Sequence, residues 1–96
     1  MPKAVWKNTI IASSEDTILL EGNHYFPPDT VHREYLRESR SQAAANWMGT
    51  PRLYHVVVGV ETVEDAAWSY SEPTRAATAI KDHVAFFRGV TILQDP

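Results

Sequence analysis

No cysteine occurs anywhere in the 96 residues. That absence removes disulfides, thiolate metal sites and cysteine nucleophiles together, and it fits a reducing, cytoplasmic setting. Long apolar runs are missing too. None approaches the roughly 20 residues that span a bilayer, and the opening Met1-Pro2-Lys3-Ala4-Val5-Trp6 has no apolar stretch of the secretory-signal type. No membrane partner is expected. Nor is there an excess of positive charge. The net charge is −3, and the one concentration of base, Arg33, Arg37 and Arg40, is interleaved with Glu34 and Glu38. That alternation suits a solvated face rather than a phosphate track, so no nucleic-acid partner is expected either. Gly-rich phosphate loops, His-x-His or His-x3-His pairs and Gly-x-Ser-x-Gly are absent. Nucleotide chemistry, a histidine metal site and a serine-hydrolase elbow therefore lack their usual anchors, and no cofactor or metal is expected.

What the chain does have is aromatic and β-branched residues in short runs. Its length is one domain's worth, residues 1–96. Ala4–Lys7 and Thr9–Ser13 read as two short strands or one bent one. Thr17–Glu21 is a third, closed by a Gly22-Asn23 turn pair. Pro27-Pro28 interrupts sheet pairing after His24-Tyr25-Phe26. Asp29 or Thr30 caps a short helical turn over Val31 to about Leu36. Ser39–Asn46 reads as a loop, with an Ala-rich helical turn at Ala43-Ala44-Ala45 as the alternative. Leu53–Val60 and Asp65–Tyr70 form a hairpin joined by the polar Glu61–Glu64. Alternation puts Tyr54, Val56 and Val58 on one face, and Ala66, Trp68 and Tyr70 on one face of the partner. Pro73 opens a short helix to about Lys81. His83–Phe87 and Val90–Leu93 read as a last hairpin about Arg88-Gly89. Short strands with regular turn signals indicate an all-β sandwich, barrel or two-sheet arrangement with one or two short connecting helices.

Several of these segments also carry a family likeness. Glu21-Gly22-Asn23-His24-Tyr25-Phe26-Pro27-Pro28, then Arg33-Glu34-Tyr35, then Asp65-Ala66-Ala67-Trp68 with Tyr70 and Pro73, resembles domain of unknown function 427. His83-Val84-Ala85-Phe86 with Gly89-Val90 extends the resemblance almost end to end. It implies a mostly β, tent-like fold, two antiparallel sheets leaning together over a cleft. It implies no activity, and the nucleotidyltransferase label attached to the family finds no phosphate loop or paired Asp motif here. One stretch departs from the pattern. Family members typically read Thr-x-Cys-Pro-Trp-Lys-Gly where this chain reads Ala43-Ala44-Ala45-Asn46-Trp47-Met48-Gly49. The thiol is replaced by Ala45 and the ammonium by Met48, so covalent chemistry through either is unavailable.

Two sets of residues are candidates for function. Glu21 and His24, about one turn, are the expected acid–base pair, against the blander reading of a solvated polar turn. Tyr25, Trp47, Tyr54, Trp68 and Tyr70 are the expected ligand-binding set, against the reading that they are simply core. Glu61, Glu64 and Asp65 read as solvated hairpin residues. The function expected is a small-molecule enzyme without metal or nucleotide. It would take an apolar or aromatic, polyketide-like substrate and assist proton transfer, cyclisation, isomerisation or elimination. A non-catalytic module binding a small ligand or a protein is the alternative. The expected partner is a small-molecule ligand, with association into a homodimer left open.

Overall fold

The β-branched runs become strands, and the turns between them decide which strands meet. A computed structural model describes residues 1–87 and 89–94, and among these nine strands form three antiparallel sheets. β1 (Pro2–Trp6) and β2 (Thr9–Ser13) are separate strands, joined at Lys7-Asn8. β3 (Ile18–Leu20) and β4 (Asn23–Tyr25) form a hairpin whose turn is Glu21-Gly22, one residue earlier than the sequence suggested. Both turn residues have positive φ, 51° and 80°, which is the type I′ geometry that matches the strands' own twist. β5 (Leu36–Glu38), β6 (Arg52–Val58), β7 (Glu61–Ser69) and β8 (Val84–Phe86) make a four-stranded sheet in that order. β9 (Thr91–Gln94) returns to β1, so the first sheet runs β2-β1-β9.

Some expectations change. The helical turn over Val31 to Leu36 is replaced by two 3₁₀ turns, Pro28–Thr30 and Arg33–Tyr35, with Leu36 already in β5. Val31 is buried and bridges to Ala12, so core burial of a β-branched side chain overrides the local helical signal. Glu61–Glu64 is strand rather than connector: Val58 pairs with Glu61, which leaves Gly59-Val60 as the turn. The last hairpin does not form. β8 pairs with β7 while β9 pairs with β1, and Arg88, in the expected turn, lies outside the described residues. Between them the buried Val90 enters the core, so the chain passes from one sheet to the other. The sheets number three rather than the two expected, and the helical connectors are all 3₁₀, the longest being Arg75–Ile80. No described helix is long and apolar enough to cross a membrane.

Each face of the four-stranded sheet has its own apolar cluster. One face turns Tyr54, Val56 and Phe86 toward Ala4, Ile11 and Ala12 of the three-stranded sheet. The other carries Trp68, Tyr70 and Ala85, packed with Tyr25, Met48 and Ile80. Cross-strand pairing fixes the division. Tyr54 lies opposite Ala67 and Leu53 opposite Trp68, so neighbours in sequence point to opposite faces. Asp65, with φ of 52°, sits where the β6–β7 register shifts, and this bulge puts Ala66 into the first cluster instead of beside Trp68.

Candidate ligand-binding cleft

On its second face the sheet is only partly covered, leaving a cleft of about 670 Å³. This is within the ordinary range for small-molecule sites, roughly 300–1,000 Å³. Strands β6 and β7 contribute Leu53 and Trp68, β4 contributes Asn23 and Tyr25, and the residue 46–49 turn contributes Asn46 and Met48. Tyr70 and Phe87 line it as well, with Glu64 and Asp65. The rings meet edge to face. Tyr25 and Trp68 have centroids 6.2 Å apart and Trp68 and Phe87 5.1 Å apart, so the aromatic wall is continuous.

The polar atoms are organised around two phenols. Trp68 Nε1 donates to the Tyr25 hydroxyl at 3.2 Å, and that hydroxyl points its proton at Met48 Sδ, 3.7 Å away. Asn46 Nδ2 donates to the Tyr70 hydroxyl at 2.9 Å, while Asn46 Oδ1 accepts from the Met48 backbone N–H at 2.8 Å. Burial, the largest influence, pushes the Tyr25 phenol up from its ordinary value of 10.0. The Trp68 N–H works against this, and electrostatic interaction with Tyr70 and Glu21 adds to it. Tyr25 is thus held as a neutral donor.

The residue 46–49 turn is clamped from outside. Thr74 donates through Oγ1 to Trp47 O at 2.8 Å and through its N–H to Met48 O at 3.0 Å. Gly49 has φ of +128°, and a Cβ there would stand 3.1 Å from Glu72 O. Glu72 would have to give way by a few tenths of an ångström, and side chains rarely adopt such a φ, so the position favours glycine.

The candidate residues from the sequence divide into three groups. Tyr25, Trp68 and Tyr70 line the cleft together. Trp47 is 48% exposed and does not line it; its Nε1 donates to Glu21 Oε2 at 3.2 Å, linking the residue 46–49 turn to the β3–β4 turn. Tyr54 faces the other cluster. Glu21 stands outside the lining, and His24 points away from it, since Asn23 and Tyr25 on either side point in. His24 Nε2 meets the Gln94 side-chain amide at 2.7 Å and Nδ1 the Thr17 hydroxyl at 2.9 Å. The structure therefore does not bring Glu21 and His24 together on the cleft.

Sequence reasoning did not place Asn46, Met48 or Leu53 at the site, and it read Glu64 and Asp65 as solvated hairpin residues, whereas all five line the cleft. The pairing of Leu53 with Trp68 would have indicated Leu53, but only with the β6–β7 register known. Ser39, His55 and Asp65 also gather beside the bulge. Ser39 Oγ donates to Asp65 Oδ1, and the Asp65 N–H donates to His55 Nδ1 at 3.1 Å. The serine bonds to the carboxylate and not to the imidazole, so this is not a nucleophile–base pair. Among the described residues no group of three or more His, Asp or Glu side chains could hold a metal ion.

Three antiparallel sheets and an aromatic cluster define a mostly β protein of the kind that can house a small apolar or aromatic ligand. The chain belongs to the family described as domain of unknown function (DUF427), whose model matches residues 3–94. No curated protein matches the chain. Within the altered stretch, Ala45 is exposed, whereas Met48 is buried at the cleft and meets the Tyr25 hydroxyl.

Proposed function

We propose that this protein binds a small organic molecule with a flat apolar or aromatic portion in the cleft between the four-stranded sheet and the β3–β4 hairpin. The observation that carries the reading is the edge-to-face series Tyr25, Trp68 and Phe87 along one wall of a cavity of ligand size. The frame belongs to the same proposal: the two larger sheets lean together in the tent-like manner the family resemblance implies, supported by their shared core. Catalysis by proton transfer is the second reading, favoured by one observation. Glu64 and Asp65 are among the residues that line the same cleft as Tyr25 and Tyr70, so acidic residues and phenols border one volume. Glu64→Gln and Asp65→Asn, singly and together, separate the readings, because they remove each candidate base and leave every ring in place.

The binding reading is tested by calorimetric titration with ethylbenzene, a bare ring probe. Trp68→Ala is expected to weaken binding by at least about tenfold, the order of one lost ring contact with its buried area. Tyr54→Phe, on the opposite face, is expected to leave it unchanged. Equal binding by the wild type and a folded Trp68→Ala variant would remove the cleft as the site.

A further inference from the structure

The cleft's two phenols share a feature that the rings alone do not require. Each phenol oxygen already accepts an N–H, from the Trp68 indole at Tyr25 and from the Asn46 amide at Tyr70. Neither direction can be reversed. An indole nitrogen only donates, and the Asn46 amide is oriented by the Met48 N–H on its Oδ1. Both hydroxyl protons are therefore left to point elsewhere. That of Tyr25 goes to a thioether at 3.7 Å, a weak acceptor, and that of Tyr70 has no acceptor among the described residues. An O–H whose oxygen accepts a hydrogen bond is a stronger donor, because the chain of bonds polarises. The two are also tied together through the residue 46–48 backbone, since Asn46 holds Tyr70 and Met48 meets Tyr25.

We infer that Tyr25 and Tyr70 form a paired donor site for one carbonyl oxygen, so that the ligand of this cleft is a neutral aryl or unsaturated carbonyl compound. The inference rests on the cleft being a binding site and adds the chemistry of its occupant. A carbonyl oxygen has two lone pairs and can take both O–H bonds, exchanging the sulfur contact for a stronger one. A carboxylate suits the cleft less well, because Glu64 and Asp65 line it too. The same pair of donors would favour an enolate over its parent ketone, as charge develops on the bound oxygen.

The test compares acetophenone, labelled with ¹³C at the carbonyl, with ethylbenzene, which has the same ring and no oxygen. Acetophenone is expected to bind at least about tenfold more tightly, the order of one or two hydrogen bonds. Its carbonyl ¹³C resonance should move downfield, as it does when the oxygen accepts hydrogen bonds. Tyr70→Phe should remove part of that shift and narrow the gap between the two affinities, because Tyr25 still donates. Tyr70→Phe keeps the ring but takes the phenol acceptor from the Asn46 amide, so its fold is checked separately by circular dichroism. Equal affinities with an unshifted carbonyl would overturn the carbonyl site and leave the aromatic cleft standing. Failure of both probes to bind would overturn the cleft and the carbonyl site together.

Discussion

At the scale of single residues, Tyr25 is held by both polar and apolar contacts. It is buried, its hydroxyl accepts from Trp68 and donates to Met48, and its ring meets Trp68 edge to face. Because burial raises its pKa in the folded state, the unfolded chain ionises first as pH rises through 10.0. The unfolded state then binds fewer protons than the folded one, so stability falls above that pH; below it the contribution is fully present. Tyr25→Phe is expected to cost about 1–2 kcal/mol at neutral pH, through the stranded Trp68 N–H. It should also flatten the alkaline loss of stability, which denaturant melts between pH 9 and 11 would show. An equal alkaline slope in both proteins would place the titration elsewhere. Trp68 and Tyr70 could be picked out together because they stand two apart on one strand run, whereas Tyr25 was singled out only for its place beside the Glu21–His24 turn. His24 could not be excluded in the same way. The carboxylate, imidazole and phenol of Glu21, His24 and Tyr25 look convergent until the hairpin turn is known to be Glu21-Gly22, after which alternation sends His24 outward.

At the scale of elements, turn chemistry decided what could be read. The β6–β7 hairpin was visible, but polar residues in Glu61–Glu64 resembled a connector. In the structure they are the exposed first half of β7, and Gly59-Val60 makes the turn. The expected β8–β9 hairpin failed for a different reason, since each strand finds its partner in a sheet laid down by distant sequence. The loop reading of Ser39–Asn46 matches the structure over residues 39–45, and Asn46, which bridges to Gly49, begins the residue 46–49 turn that builds one wall of the cleft. That wall depends on Gly49. Gly49→Ala adds a Cβ 3.1 Å from Glu72 O at a φ that disfavours side chains, and backbone strain of this kind costs about 1–3 kcal/mol. The expected outcome is a Tm lowered by several degrees, together with loss of protection from hydrogen exchange at the Met48 and Thr74 amides, which pair with Asn46 Oδ1 and Met48 O. An unchanged Tm and unchanged protection would mean that the clamp does not hold the turn.

At the scale of the whole molecule, the four-stranded sheet separates two tasks. One face packs against the three-stranded sheet as core, and the other, covered by the β3–β4 hairpin, the residue 46–49 turn and the Arg75–Ile80 3₁₀ segment, keeps an aromatic cleft. The mostly β class was visible in the short β-branched runs, and the family in near end-to-end motifs. The number of sheets was not, because pairing between residues as distant as β1 and β9 leaves no local mark. The most direct measurement uses the indole N–H signals of Trp6, Trp47 and Trp68 in a ¹⁵N–¹H correlation spectrum, followed as acetophenone is added. Trp6 packs against the first cluster, and Trp47 is on the outside with Glu21, whereas Trp68 lines the cleft with its N–H on Tyr25. The account predicts that the Trp68 signal moves with saturation and that the other two stay in place. A shift at Trp47 or Trp6 with Trp68 unmoved would contradict it.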